Sequence, residues 1–246
     1  MDSISETTPL CPACKIPGTG KLCAACGETL YPKRITLTQL LKHIPDVFDL
    51  DHGLIYTIRS FLTRPGKEIH EYFAGDRSKH YKPLKFILFI GGIVTLLMIN
   101  FKIGNGSEPT AFEKFETQWN SAILILQFPV IALCTWLIFR KRKYNYGEHL
   151  VANAFLIGEV IMFHIVFFPV YLLLNNSIGI NFIYFFYLLW ILSYYTYAFY
   201  DWFYNKQTAV GFFKSMGITI FIFIVTLIVS IPLEIMLYYI TVKMGL

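Results

Sequence analysis

Five apolar runs of membrane-spanning length limit the folds open to this 246-residue chain more than any other feature. About 30 Å of hydrocarbon, at 1.5 Å of helix per residue, asks for roughly 20 apolar residues. The runs at 84–101, 121–139, 150–174, 180–200 and 210–242 meet that requirement. The last is too long for one straight crossing, and Pro232, followed by Glu234, is expected to kink or end it near the far interface. Composition agrees. With 55% hydrophobic and 15% charged residues, too little charge remains to cover a soluble protein of this size. Twenty-three Phe and 16 Tyr suit lipid contact and interfacial belts. The expected fold is an all-α polytopic membrane bundle of about five transmembrane helices, occupying residues 84–246.

Orientation follows from Lys and Arg, which stay on the cytoplasmic side. Of the 21, all but Lys102, Lys114 and Lys243 fall on one side of this arrangement, including the tetrad Arg140-Lys141-Arg142-Lys143. The N-terminus is therefore expected inside and the C-terminus outside, with the acidic stretch 104–117 as an exterior loop. The net charge of +5 is then a topology signal, and no nucleic-acid partner is expected. Residues 1–10 are polar and lack an apolar core, so the first span is expected to direct insertion.

Ahead of the spans, Cys11, Cys14, Cys23 and Cys26 form two CxxC pairs separated by eight residues. Each pair makes a knuckle whose thiolates point to one centre, and two knuckles complete a tetrahedron. Residues 1–33 are thus expected to be a four-cysteine, zinc-ribbon-like module with a structural Zn²⁺; the same cage admits iron. Disulfides are not expected in a reducing cytoplasm. Metal binding would supply most of the folding free energy of so small a unit. Lys15, Lys21, Lys33 and Arg34 around it suit a membrane surface or an acidic partner. Cys134, alone in an apolar run, reads as a small buried hydrophobe. No internal repeat is expected.

Residues 34–83 are neither loop nor span. Leu54, Ile55, Ile58, Phe61 and Leu62 share one helix face, and a second helix is expected from Pro65 to a terminating Gly75, with Ile69, Tyr72 and Phe73 on its apolar side. Both read as amphipathic helices on the inner leaflet, with packing into a small cap as the alternative. Arg59, Arg64, Arg77, Lys82 and Lys85 are candidate lipid-headgroup contacts. Glu68, His70, Glu71, Arg77 and His80 form a polar cluster next to them.

The arrangement CPAC…CAACG, then Arg34-Ile35, Thr63-Arg64-Pro65-Gly66, Glu71-Tyr72, Gly75, Arg77, Tyr81 and Pro83, resembles a bacterial membrane-protein family catalogued as domain of unknown function 3667. Tyr146-Gly147-Glu148-His149 is similar to that family as well. The resemblance covers the N-terminal third most closely. It implies a cysteine-knuckle head on a multi-pass inner-membrane body and implies no activity.

The third span carries Glu148, His149, Asn153, Glu159 and His164. At 100° per residue, Glu148 and Glu159 lie about 20° apart, with Asn153 and His164 on an adjacent stripe. An ionisable group at mid-bilayer costs about 2.5 kcal/mol or more, so this stripe is a candidate membrane-embedded polar site; packing between helices is the structural alternative. No nucleophile elbow, P-loop, HExxH or paired-aspartate motif accompanies it, and an enzyme is not the favoured reading. The favoured function is a membrane-anchored scaffold or interaction protein, contacting lipid and a protein partner or a second copy of itself. A small transporter or channel subunit using the polar stripe is the alternative, and a lipid-active enzyme the third.

Overall fold

The computed structural model describes residues 9–31, 53–100, 111–173, 177–204 and 208–244. Arg34, Ile35 and the acidic stretch as far as residue 110 lie outside the described residues. Among the described residues there are seven helices and no strands. They are α1 (Leu54–Thr63), α2 (Pro65–Ala74), α3 (Pro83–Asn100), α4 (Ala111–Ile138), α5 (Tyr146–Leu173), α6 (Ser177–Tyr204) and α7 (Ala209–Met244).

α5 is the centre of the bundle. It is apolar on every face, the pattern of a helix with neighbours all round, and residues 147–161 are buried without a break. α3 and α4 pack most extensively against it. The α3 contact depends on Gly158, where a Cβ would stand 2.3 Å from the Phe86 ring. α7 lies outside, on α6 and α4. It turns a narrow face of Gly211, Ser215, Thr219, Ile222 and Ser230 inward. Small residues of this kind allow close helix approach in lipid. Its remaining faces carry bare Phe213, Ile228 and Tyr239, each more than 60% exposed.

Two helices are long and apolar enough to cross a membrane, Tyr146–Val170 and Ala209–Lys243. Their surroundings differ sharply. The apolar window of the first is 72% buried and that of the second 11%. The first could be the core of any helical protein, whereas the second exposes a large apolar surface of the kind that marks a membrane or protein contact. Pro83–Leu97 and Leu126–Ile138 are shorter apolar helices. Of the two outcomes expected at Pro232, a kink or an end, the helix does not end there: α7 runs through it as one helix. Its 36 residues make about 54 Å, well beyond the hydrocarbon thickness. Lipid-embedded helices accommodate an internal proline more readily than soluble ones do.

α1 and α2 turn part of their apolar faces onto the bundle, while Ile55 stays 82% exposed. Phe61 stacks on Phe155 of α5 at 4.3 Å, and Ile69 and Tyr72 join the same core. A preformed aromatic surface accepts these rings, so the pair caps one end of the bundle. Gly75 ends α2 as expected, at φ 112°. The Gly75 N–H donates to the Tyr72 carbonyl and the Asp76 N–H to the Glu71 carbonyl, the paired bonds of a Schellman cap.

The C-terminal end of α6 holds this cap in place. Tyr194 donates to the Phe61 carbonyl at 3.3 Å and Tyr197 to that of Thr63, satisfying the free C-terminal carbonyls of α1. Asp201 Oδ2 accepts the Gly66 N–H at 2.8 Å and so caps α2 from 135 residues away. Gly66 is obligatory here, since a Cβ would come 2.3 Å from both the Asp201 carbonyl carbon and the Trp202 nitrogen. Backbone cannot rotate aside as a side chain can. Gly66→Ala is expected to cost about 2–4 kcal/mol, combining overpacking with the lost cap. Thermal unfolding in detergent measures it, with Gly92→Ala, whose Cβ meets nothing within 4 Å, as the neutral control.

Candidate metal centre and buried polar clusters

The cysteine segment is built twice. Cys11 N–H donates to the Ile16 carbonyl and Lys15 N–H to that of Cys11; twelve residues on, Cys23 N–H donates to Glu28 and Gly27 N–H to Cys23. The flanking bonds, Gly18 to Pro9 and Leu30 to Lys21, repeat with the same offset, as do the bridges Leu10–Pro17 and Leu22–Thr29. An internal repeat is therefore present, carried by backbone bonds around LCPAC and LCAAC. The two turns bring all four sulfurs within 4.8 Å of one another, with Cys11–Cys26 and Cys14–Cys23 at 3.5 Å. A metal at about 2.3 Å from each of four thiolates would set them about 3.8 Å apart, so the quartet can bind a metal ion.

Electrostatics point the same way. Backbone N–H groups of Ala25 and Cys26 aim at Cys23 and bring its thiol down to about 7. The Glu28 N–H aids Cys26, yet burial and the neighbouring sulfurs push that thiol up to about 12. Four sulfurs this close hold four negative charges only around a cation.

Each knuckle closes on a left-handed residue, Lys15 at φ 62° and Gly27 at φ 74°. Only glycine enters that region without a Cβ penalty, about 1–2 kcal/mol for other residues. Gly27→Ala is thus expected to weaken metal retention roughly fivefold, about 1 kcal/mol, in competition with a chelator. Lys15→Gly should not weaken it.

Outside the knuckles, Leu10, Ile16, Leu22 and Tyr31 are 63, 48, 59 and 64% exposed. Leu10 and Leu22 are equivalent positions of the repeat. Glu28 Oε2 accepts the Ser78 N–H at 3.0 Å and joins the module to the turn after α2.

The polar cluster before α3 resolves into two networks. In the first, fully buried Glu68 receives His80 Nε2 at 2.8 Å and the Tyr56 hydroxyl at 3.2 Å on Oε2. Arg64 Nε stands 2.8 Å from Oε1 as an ion pair without an aligned hydrogen bond. His80 Nδ1 faces the Asp76 carbonyl at 3.1 Å, so both ring nitrogens meet acceptors and both donate. Burial opposes the Glu68 charge, but His80, then Arg64 and Lys79, outweigh it and hold the carboxyl below its usual range. Glu71 behaves likewise through Lys79. Tyr72, whose phenol burial pushes up to about 12, lies against the His80 ring.

The second network joins three elements. His70 Nε2 donates to the Trp202 carbonyl at 3.0 Å, and the Tyr144 hydroxyl donates to His70 Nδ1 at 2.5 Å. Nothing in the residue spacing announces Asp201, Trp202 or Tyr144 as partners of α2, because the contacts span 74 to 135 residues.

The polar residues of α5 meet different partners along the helix. Glu148 Oε2 accepts the Asn145 N–H at 2.8 Å while Asn145 Oδ1 accepts the Glu148 N–H at 2.9 Å, a reciprocal capping box that starts the helix. His149 and Asn153 both meet Thr135 of α4, at 3.1 and 3.0 Å. Thr135 donates its hydroxyl proton to the Ala132 carbonyl, so His149 Nδ1 and Asn153 Nδ2 are the donors to it. Deeper, Glu159 and His164 are buried, and His164 lies edge-on to Tyr187 of α6 at 4.3 Å. Neither oxygen of Glu159 has a hydrogen-bond partner among the described residues.

Of the cations read as headgroup contacts, Arg59 and Lys82 are exposed. Arg64 pairs with Glu68, and Arg77 donates to the Tyr72 carbonyl while lying over its ring. Lys85 is only 1% exposed, with its ammonium 5.9 Å from the Tyr81 ring centre, and does not present its charge to a surface.

No curated protein and no solved structure matches the chain. Residues 51–95, which carry α1, α2, the Glu68–His80 centre and most of α3, match the family model described as "Protein of unknown function (DUF3667)", the family its N-terminal motifs resemble.

Proposed function

We propose that this chain is a five-span protein of the bacterial inner membrane that carries a structural zinc module on its cytoplasmic face and uses it to recruit or organise a protein partner there. The module corresponds to residues 1–33, the cap to 34–83 and the spans to 84–246. The observation that carries the reading is the set of exposed apolar residues on the cysteine module. Leu10, Ile16, Leu22 and Tyr31 lie bare on a unit too small to waste apolar surface. The polar groups beside it, which a lipid-active enzyme would need free, are occupied with one another around Glu68 and His70. Lys15 and Lys21 are exposed on the module, so the partner surface it fits is apolar with acidic residues. A second copy of the chain or a different protein meets that description; nucleic acid does not.

The test is cross-linking in intact cells with a Leu10→Ser, Leu22→Ser double variant. The reading expects zinc content near one per chain to persist while the cross-linked adduct formed by the unaltered protein is lost. An adduct that survives both substitutions contradicts it.

Glu159 favours one further reading, a transport path for protons or small polar solutes along α5. A buried carboxyl without partners is costly to keep for packing alone. Glu159→Leu separates the two: scaffolding is retained with equal or better stability, whereas transport is lost with normal folding.

A further inference from the structure

An open groove of about 370 Å³ lies where α4, α6 and α7 come together, lined by Ile138, Tyr204, Lys214, Gly217, Ile218 and Phe221. Five of its six lining residues offer carbon, a glycine backbone or an aromatic ring, and one offers a cation. We propose that this groove binds an anionic phospholipid, with the headgroup phosphate on Lys214 and the start of one acyl chain along Gly217, Ile218 and Phe221. The site rests on the membrane reading above.

Three features fit that occupant. Lys214 is exposed, and no described carboxylate forms an ion pair with it. The floor at Gly217 is open, since a Cβ there meets nothing within 4 Å, so a neighbouring chain can lie against the helix backbone. From Lys214 to Phe221 the helix advances about 10 Å, the depth from a headgroup into the upper acyl region. One cation near a phosphate layer contributes about a fivefold preference for an anionic lipid.

The experiment uses the full chain in bilayer discs of equal phosphatidylglycerol and phosphatidylcholine, gently released and weighed with its bound lipids. The unaltered protein is expected to retain phosphatidylglycerol about fivefold over phosphatidylcholine. Lys214→Gln should abolish that preference. Gly217→Leu, at a glycine whose Cβ would meet nothing within 4 Å, should fill the groove and remove the retained lipid of either class. Gly92→Leu, an equally open glycine on α3, should change nothing. Equal retention of both lipids by the unaltered protein overturns the proposal. So does preference that survives Lys214→Gln, or lipid that survives Gly217→Leu. A pair of chains separated by Gly217→Leu with no lipid released overturns it in favour of a protein contact. Failure of the membrane reading looks different: the chain would then leave membranes on washing in alkaline carbonate.

Discussion

Replacing Cys11 with serine is expected to abolish metal binding by the whole chain and to unfold residues 9–31, while α1 to α7 keep their fold. The module's buried side chains are Cys11, Cys23 and Leu30, so little apolar burial remains without the ligands themselves. Ordering each residue costs about 1–2 kcal/mol of backbone entropy, and three buried side chains cannot offset that over the whole module. A thiolate-bound ion can, since structural zinc sites contribute about 10–16 kcal/mol. Loss of one thiolate also opens a cage in which Cys11 and Cys26 lie side by side at 3.5 Å. Elemental analysis should fall from one metal per chain to none, and amide exchange should accelerate through 9–31. Cys134→Ser, half-buried and far from the quartet in sequence, should leave both readings unchanged. Metal retained after removal of all four thiols contradicts the assignment.

Glu68→Leu should be the most damaging single change in the helical body, costing about 3–5 kcal/mol. Removing Glu68 leaves Arg64 without its partner and takes the acceptor from His80 Nε2 and the Tyr56 hydroxyl, and His80, at 6% exposure, cannot turn to water. Glu68→Leu with His80→Leu should recover part of that loss, because both buried polar groups then go together. Thermal unfolding of the two singles and the double forms the cycle. The pH dependence has a defined sign. Glu68 and Glu71 are held below the ordinary value of 4.5 in the folded protein. Their contribution is therefore complete above that value and declines as pH falls below it, through the native range. In the Glu68 variant this acid limb should be shallower. A limb identical to that of the unaltered protein would remove Glu68 from the account.

Features set by local chemistry were legible in the sequence. The CxxC pairs announce converging sulfurs, Pro65 and Gly75 bracket α2, and the apolar runs foretell the helices to within a few residues at most ends. α4 starts earlier than its run, at Ala111, because Glu113 and Glu116 are compatible with helix though not with hydrocarbon. Two features were legible and missed. Asn145-Tyr146-Gly147-Glu148 has the spacing of a capping box, which explains Glu148 without invoking a site. LCPAC and LCAAC also recur at twelve residues, although only the backbone bonds make the repeat plain. Other features were beyond local reading. Asp201 caps a helix that begins 136 residues earlier, and an aspartate in an aromatic-rich run does not name its target. Lys85 looks like an interfacial anchor until Tyr81 is seen beside it, and the polar stripe of α5 looks continuous until its neighbours divide it.

The most direct test of the account is the side of the membrane on which each end lies. Reporter domains that work only in the cytoplasm or only in the periplasm, fused in turn ahead of Met1 and after Leu246, read this in living cells. Five crossings with the cysteine module inside predict cytoplasmic activity at Met1 and periplasmic activity at Leu246. Both ends reporting from one compartment, or the Met1 fusion active only in the periplasm, would contradict it.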